Sequence, residues 1–194
     1  DRFRGQSNPE YFARLAQRII SVLTLMTREG YVYQIDTRLR PSGNQGPLVT
    51  SLAAYRRYHE SSAAPWERQA LTKARVVLGP EALARQIETI NREIVYLRPV
   101  PAELQTEIRR LRARMESEIA KERAGHFNIK TGRGGMVDVE FIVQYLQIRH
   151  GAAHPTLQVG NTLEALAALE GAGILAPEDR VALESGYKFL RRLE

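Results

Sequence analysis

One long stretch of this chain alternates with the period of a strand, while most of the rest repeats with the period of a helix. The stretch is Tyr31-Val-Tyr-Gln-Ile-Asp-Thr-Arg-Leu-Arg-Pro41. Successive side chains of an extended backbone point to opposite faces. Tyr31, Tyr33, Ile35, Thr37 and Leu39 therefore share one face, and Val32, Gln34, Asp36, Arg38 and Arg40 share the other. The first set can be buried, but the second cannot, because a carboxylate removed from water must be paired or metal-bound. One reading of that face is an ion pair between Asp36 and Arg38 or Arg40 on a solvated surface. The other is chemical. The stretch runs into Pro41-Ser-Gly-Asn-Gln-Gly-Pro-Leu-Val49, where Gly43 and Gly46 can take positive φ and turn backbone N–H groups toward an anion. A carboxylate, two guanidiniums and a glycine loop suggest a phosphate site.

Helical patterns flank this segment. Asn8 is placed to cap a helix with Pro9 at its first position, and Phe12, Leu15, Ile19, Val22, Leu23 and Met26 form one apolar face up to about Arg28. Ser51 caps a second pattern carrying Leu52, Tyr55 and Tyr58, and Pro65 opens a third through about Leu78. Further patterns cover about 81–96 and 102–123, bounded by Gly79-Pro80, Pro99, Pro101 and Gly125. After a short extended segment at Phe127–Lys130, Gly132, Gly134 and Gly135 lead into a helix from Met136 to His150. Phe141, Ile142, Tyr145, Leu146 and Ile148 are its expected core face. Patterns at 161–169 and 177–193 complete a helix bundle. The N-terminus of the Met136 helix, with Lys130 and Arg133 nearby, is a possible phosphate or acidic-partner site. Asp138 and Glu140 in its first turns read equally as carboxylates that stabilise the helix start and as residues with a catalytic or allosteric role. The expected fold is α+β and mostly α.

Composition excludes several classes. No apolar run approaches the roughly 20 residues of a membrane span, and Asp1-Arg-Phe-Arg-Gly5 is not a secretory signal. The absence of cysteine rules out disulfides and thiolate zinc sites and agrees with a cytoplasmic setting. His59, His126, His150 and His154 read as surface or packing residues. The net charge of +6 invites a nucleic-acid reading. Against it, Arg109, Arg110, Arg112, Arg114, Lys121 and Arg123 are interleaved with Glu107, Glu116, Glu118 and Glu122, the pattern of a solvated, ion-paired helix.

Three ordered blocks carry a resemblance to a known family. They are Ile35-Asp-Thr-Arg-Leu-Arg-Pro-Ser-Gly-Asn-Gln-Gly-Pro-Leu-Val49, Trp66-Glu-Arg-Gln-Ala-Leu-Thr-Lys-Ala-Arg-Val-Val77, and Phe127-Asn-Ile-Lys-Thr-Gly-Arg-Gly-Gly-Met-Val-Asp-Val-Glu-Phe141 with the residues through Leu146. The chain resembles the bifunctional glutamine synthetase adenylyltransferase family over essentially its whole length. The resemblance implies part of a polymerase-β-like nucleotidyltransferase sheet in residues 1–79, followed by an all-α helical bundle in 80–194. It implies transfer of AMP from ATP to a tyrosine of glutamine synthetase, with Mg²⁺ as cofactor and a PII signalling protein as regulator. Asp36 would be the third metal-binding and catalytic carboxylate. Arg38, Arg40, Gly43, Gly46 and Lys73 would contact the nucleotide.

The family's upstream Gly-Ser turn and Asp-x-Asp pair have no counterpart here, so the chain is expected to be a fragment, inactive alone. The wording Val137-Asp-Val-Glu-Phe141 favours the C-terminal, adenylylating half over the half that removes AMP by phosphorolysis. A nucleic-acid nucleotidyltransferase and a non-catalytic regulatory helical module are the competing classes.

Overall fold

A computed structural model describes residues 2–3, 5–31 and 33–194, with only the backbone of Arg2, Phe3 and Gln6. The chain forms two compact units, Asp1–Ala63 and Ala64–Glu194. Its secondary structure is overwhelmingly helical.

The first unit opens on an antiparallel hairpin, β1 (Arg2–Phe3) and β2 (Gln6–Ser7), turned at Gly5 with φ 80°. Helix α1 (Asn8–Leu23) follows at once. Its N-cap is Ser7 rather than Asn8, because Glu10 reaches back to accept the Ser7 N–H at 2.9 Å. Pro9 still sits in the first turn, where its missing N–H costs nothing. The helix ends at Leu23, short of the expected Arg28. There the Thr24 N–H and hydroxyl both donate to the Ile20 carbonyl, and a tight turn pairs Thr27 with Gly30.

The alternating segment 31–41 is not a strand. Among the described residues it pairs with no neighbouring strand, and the nucleotidyltransferase sheet expected in this unit is not formed. A strand exists only through its ladder. Without a partner edge the backbone turns locally: the Asp36 carboxylate accepts the Arg38 N–H at 2.9 Å. The two-faced burial fails with it. Ile35 and Thr37 are half-buried, whereas Tyr31, Tyr33 and Leu39 are exposed, Leu39 to 71%. Val32, assigned to the polar face, lies outside the described residues. Helix α2 (Leu52–Ser61) has Ser51 as N-cap, its side chain accepting the Ala54 N–H, and His59 packs edge-on to Tyr55 and Tyr58. His59 is the one buried residue among the described residues of this unit. The apolar stripe of α1, Phe12, Leu15, Ile19 and Val22, remains exposed.

The second unit holds the core. Helix α3 (Pro65–Leu71) is shorter than its sequence pattern. The Thr72 hydroxyl donates to the Gln69 carbonyl, and Thr72, Lys73 and Ala74 tighten into a turn, leaving Val77 and Leu78 exposed. Helices α4 (Glu81–Arg92) and α5 (Leu104–Met115) each widen at their ends into a π-helical turn, Glu93–Leu97 and Glu116–Ala120. Arg68 secures the first of these. Its guanidinium donates to the carbonyls of Val95, Arg98 and Pro99, the orphan acceptors at a helix end. Phe127–Lys130 is not a strand either; the chain there makes one bridge, between Arg123 and His126, and then a turn.

Helix α6 (Met136–His150) is the centre of the unit. Val139 and Val143 pack into one cluster with Leu157, Ala165, Leu166, Leu169 and Tyr187. Ile148 joins Val95, Tyr96, Leu104 and Ile108 in another, with Phe141 and Tyr145 against it. Leu146 lies against the first cluster, but Ile142, expected in the core, is 42% exposed. Helices α7 (Thr162–Gly171) and α8 (Pro177–Leu193) close the bundle. Gln147 ties the connection between α6 and α7, donating to the carbonyls of Leu157 and Val159 at 2.7 and 2.8 Å.

The start of α6 is fixed by Arg112, whose side chain is 11% exposed rather than part of a solvated charge row. Its Nε and Nη2 donate to the two oxygens of Asp138, and Nη2 also reaches the Gly132 carbonyl at 2.6 Å. Arg112 also makes the expected i, i+4 pair, with Glu116 at 3.7 Å, and Arg114 makes a more exposed one with Glu118. Arg112→Ala takes the cation from Asp138, which keeps the Gly134 N–H, and one of two donors from the Gly132 carbonyl, and is expected to lower stability by about 1.5–3 kcal/mol. Arg114→Ala should change it by under about 0.5 kcal/mol. Urea unfolding of the two variants checks the contrast; equal losses would mean that the Arg112 contact does not hold the unit together.

Candidate functional site

The residues singled out from the sequence fall in both units. Asp36, Arg38, Arg40, Gly43 and Gly46 belong to the first, and Lys73 to the second.

In the first unit, Asp36 and Arg38 form a forked pair: Nε lies 3.0 and 2.9 Å from the two carboxylate oxygens and Nη2 lies 2.5 Å from Oδ2. Both are open to water, with side-chain exposures of 54% and 74%. The Arg38 side-chain hydrogen bond, helped by its backbone N–H, holds the Asp36 carboxyl down at about 2. Asp36 is therefore a fixed negative charge at neutral pH. Arg40 turns to the loop instead. It donates to the Thr37 carbonyl at 2.5 Å, the Thr37 hydroxyl at 3.1 Å and the Gly46 carbonyl at 3.3 Å, bracing the turn. Gly43 has φ 54°, and a Cβ at Gly46 would meet the Pro41 carbonyl oxygen at 2.1 Å. Both glycines are thus needed for the turn itself. The Gly43 and Gly46 N–H groups are spent on the carbonyls of Arg40 and Gly43.

The residues present do not by themselves make a Mg²⁺ site. Among the described residues no three His, Asp or Glu side chains gather around a point where an ion would sit. Two-metal chemistry needs several carboxylates, and Asp36 supplies one.

The glycine turn before α6 is also structural. Gly134 has φ 75°, and a Cβ at Gly135 would meet the carbonyls of Lys130, Gly132 and Ile129 at 2.8–2.9 Å. The donors that an anion would need are already used: Gly134 N–H goes to Asp138 at 2.6 Å, Met136 N–H to Ile129 and Val137 N–H to Lys130. Lys130 pairs with Glu194. This helix start binds its own carboxylate, so the phosphate site expected there is not available. Asp138 is a cap and ion-pair partner, which decides its role.

Glu140 lies elsewhere. Its Oε1 accepts from Lys73 Nζ at 3.1 Å and from the Tyr187 hydroxyl at 2.8 Å, while Lys73 also donates to the Thr162 hydroxyl at 2.7 Å. Lys73 stays exposed but is tied to two side chains. It enters a cleft of about 630 Å³ between the turn after α3, the start of α7 and the end of α8. Sequence reading missed Tyr187, Lys188, Arg191 and Arg192 in this cleft. Their i, i+1, i+4 and i+5 spacing on the last helix was the available signal, but it is shared by any basic helix end.

Comparison with known proteins finds similarity to nucleotidyl-transferring enzymes. Residues 2–90 match the family Glutamate-ammonia ligase adenylyltransferase, and residues 104–194 match the family GlnD PII-uridylyltransferase. Similar curated relatives are bifunctional glutamine synthetase adenylyltransferase/adenylyl-removing enzymes. That of Hahella chejuensis is 39% identical across 95% of this chain, and that of Pseudomonas putida 39% across 98%. That of Nitrosococcus oceani is 40% identical across 93%. Residues 2–90 form a domain of the glutamine synthetase adenylyltransferase family, and the chain as a whole is similar to these bifunctional enzymes. It spans about a fifth of the length of these relatives, 19–20% of each. No helix among the described residues is long and apolar enough to cross a membrane.

A lowered carboxyl has a definite pH signature. The Asp36–Arg38 contact adds stability above the ordinary aspartate range, and that contribution is lost as pH falls through about 2. Carbon-detected NMR of the Asp36 carboxyl should show this midpoint, and Arg38→Ala should return it toward 3.8. A wild-type midpoint already at the ordinary value would remove the forked pair.

Proposed function

We propose that this chain supplies part of the machinery that transfers AMP from ATP to a tyrosine hydroxyl of glutamine synthetase. The observation that carries the reading is Asp36: an exposed, fully ionised carboxylate clamped by Arg38 at the mouth of a braced glycine turn, within a family of adenylyltransferases. In the reaction a bond forms from the tyrosine oxygen to the α-phosphorus, the bond to the β-phosphate oxygen breaks, and pyrophosphate leaves. The hydroxyl proton passes to a base. A carboxyl held at about 2 is a weak acceptor for that proton. Asp36 therefore acts by charge and position. It would be one ligand toward Mg²⁺, which when bound would polarise the phosphates, and such a site would need further carboxylates that the described residues do not gather around Asp36. Arg38 contacts phosphate when it exchanges its carboxylate partner for substrate, and Arg40 keeps the turn in shape. Gly43 and Gly46 allow close backbone approach, and Lys73 is the phosphate-binding candidate of the second unit.

The wording Val137-Asp-Val-Glu-Phe141 supports the attaching half of the bifunctional enzyme. The second reading is the half that removes AMP with phosphate, since the relatives carry both names. A cytoplasmic setting, ATP as substrate and regulation by a PII protein belong to the same proposal.

The test uses a polypeptide of the relatives' length carrying this sequence, with glutamine synthetase, Mg²⁺ and ATP labelled on its α-phosphate. Label should appear on the synthetase and fall by at least about 100-fold with Asp36→Asn, which keeps shape and removes charge. Transfer that survives the substitution would take Asp36 out of the site. Phosphate-dependent release of ADP from premodified synthetase, with no attachment, would assign the chain to the removing half.

A further inference from the structure

The cleft of the second unit has more cationic groups than its own carboxylates can satisfy. Lys73, Lys188, Arg191 and Arg192 line it, with Glu140 as the one lining carboxylate. The neighbouring carboxylates are already shared. Glu184 bonds both Arg180 and Lys188, and Glu194 bonds both Lys130 and Arg191. Arg192 has no carboxylate partner among the described residues, and its guanidinium stands exposed in the last turn of α8.

Lys73 is held rather than loose. Two of its three N–H donors go to Glu140 and Thr162, which leaves the third for the cleft. Glu140 is itself fixed by the hydroxyl of the buried Tyr187, so the ammonium is positioned by groups from α6, α7 and α8. The start of α7 borders the cleft at Gly160, Asn161, Thr162 and Leu163, with its Leu163 and Glu164 N–H groups already capped by the Asn161 side chain, so the cleft's attraction for an anion rests on its cationic side chains. At about 630 Å³ the space is in the range of small-molecule sites. Its exposed polar lining suits a charged ligand rather than an apolar one.

We propose that this cleft binds the phosphate groups of a small molecule, with Arg192 and the free donor of Lys73 as the principal contacts and Lys188 and Arg191 at the rim. Arginine offers a planar fork that matches two phosphate oxygens, and lysine a point charge beside it. The site lies wholly in the second unit and does not require Asp36. In its use of Lys73 it rests on the adenylyl-transfer reading and extends it to Arg192, but the two fail separately: this site stands or falls on binding, and that reading on transfer.

The test is titration of the whole 194-residue chain with inorganic pyrophosphate, and separately with ATP, in EDTA so that no metal contributes. Calorimetry gives the affinity, and NMR amide shifts locate the ligand. Expected is saturable binding with shifts centred on Gly160–Leu163, weakened at least about tenfold by Arg192→Glu. Arg114→Glu, an equal charge change outside the cleft, should leave the affinity within about twofold. Lys73→Met, checked for folding by circular dichroism, should weaken binding as well. Equal binding of both probes identifies the phosphates as the recognised group, and tighter ATP binding adds a nucleoside contact in the same cleft. No saturation at millimolar pyrophosphate would overturn the proposal. So would equal losses from Arg192→Glu and Arg114→Glu, shifts centred on residues 36–46, or binding of an acidic peptide but not of pyrophosphate.

Discussion

The contact between Arg112 and Asp138 determines where the central helix begins, and the second unit is arranged around that helix. A helix start is normally a cluster of orphan donors. Here the Gly132–Gly135 turn folds under those donors, feeding them carbonyls from Ile129 and Lys130, while Asp138 takes the Gly134 N–H and the Arg112 guanidinium together. That geometry needs glycine twice, for a positive φ at Gly134 and for close carbonyls at Gly135. With its first turn fixed, α6 presents Val143 to one cluster and Ile148 to the other, both essentially without exposure. Burying a side chain of this size is worth about 1.5–3 kcal/mol, so the two clusters reward the register that the turn imposes. The same register puts Glu140, two residues after Asp138, into the cleft beside Lys73 and Tyr187. Structural and cleft carboxylates thus sit side by side in sequence and do unrelated work.

The first unit shows what happens when pattern exists without a layer to pack on. Its helix α1 has a clear apolar stripe, yet the stripe remains in water, and His59 alone among the unit's described residues is buried. Most helical stability in proteins comes from tertiary burial of such a face rather than from propensity. What order the unit has is therefore local: the Ser7–Glu10 cap, the Thr27–Gly30 turn, the Asp36–Arg38 fork and the Arg40 brace each link residues close in sequence.

This difference explains what was legible in the sequence. The helix from Met136 to His150 and the one from Pro177 to Leu193 could be read to the residue, because glycine or proline marks one end and apolar spacing fills the rest. The α3 pattern overran its helix because Val77 and Leu78 are apolar without being buried, and periodicity alone does not report packing. Segment 31–41 alternates as a strand does, but alternation specifies a face and not a partner, and a ladder needs both. The Asp36–Arg38 pair was readable because it spans two residues. The Lys73–Glu140 and Glu140–Tyr187 contacts span 67 and 47 residues and leave no local trace. Arg112 was hidden for a different reason: in a row of arginines, only the fold selects the one that turns inward.

Two positive groups singled out for nucleotide contact prove to be anchored in different ways, and the difference bears on their chemistry. Arg38 is bound to a carboxylate in open solvent, where a pair gains little net energy, so exchanging that carboxylate for a substrate phosphate requires little of the protein. Lys73 is held by Glu140 and Thr162 in a partly enclosed cleft, where moving the ammonium would leave a carboxylate short of a donor. A ligand at Lys73 must therefore add to the existing contacts rather than replace them. The unpartnered Arg192 across the same cleft meets that requirement: it offers new bonds to an anion while the Lys73–Glu140–Tyr187 arrangement remains intact.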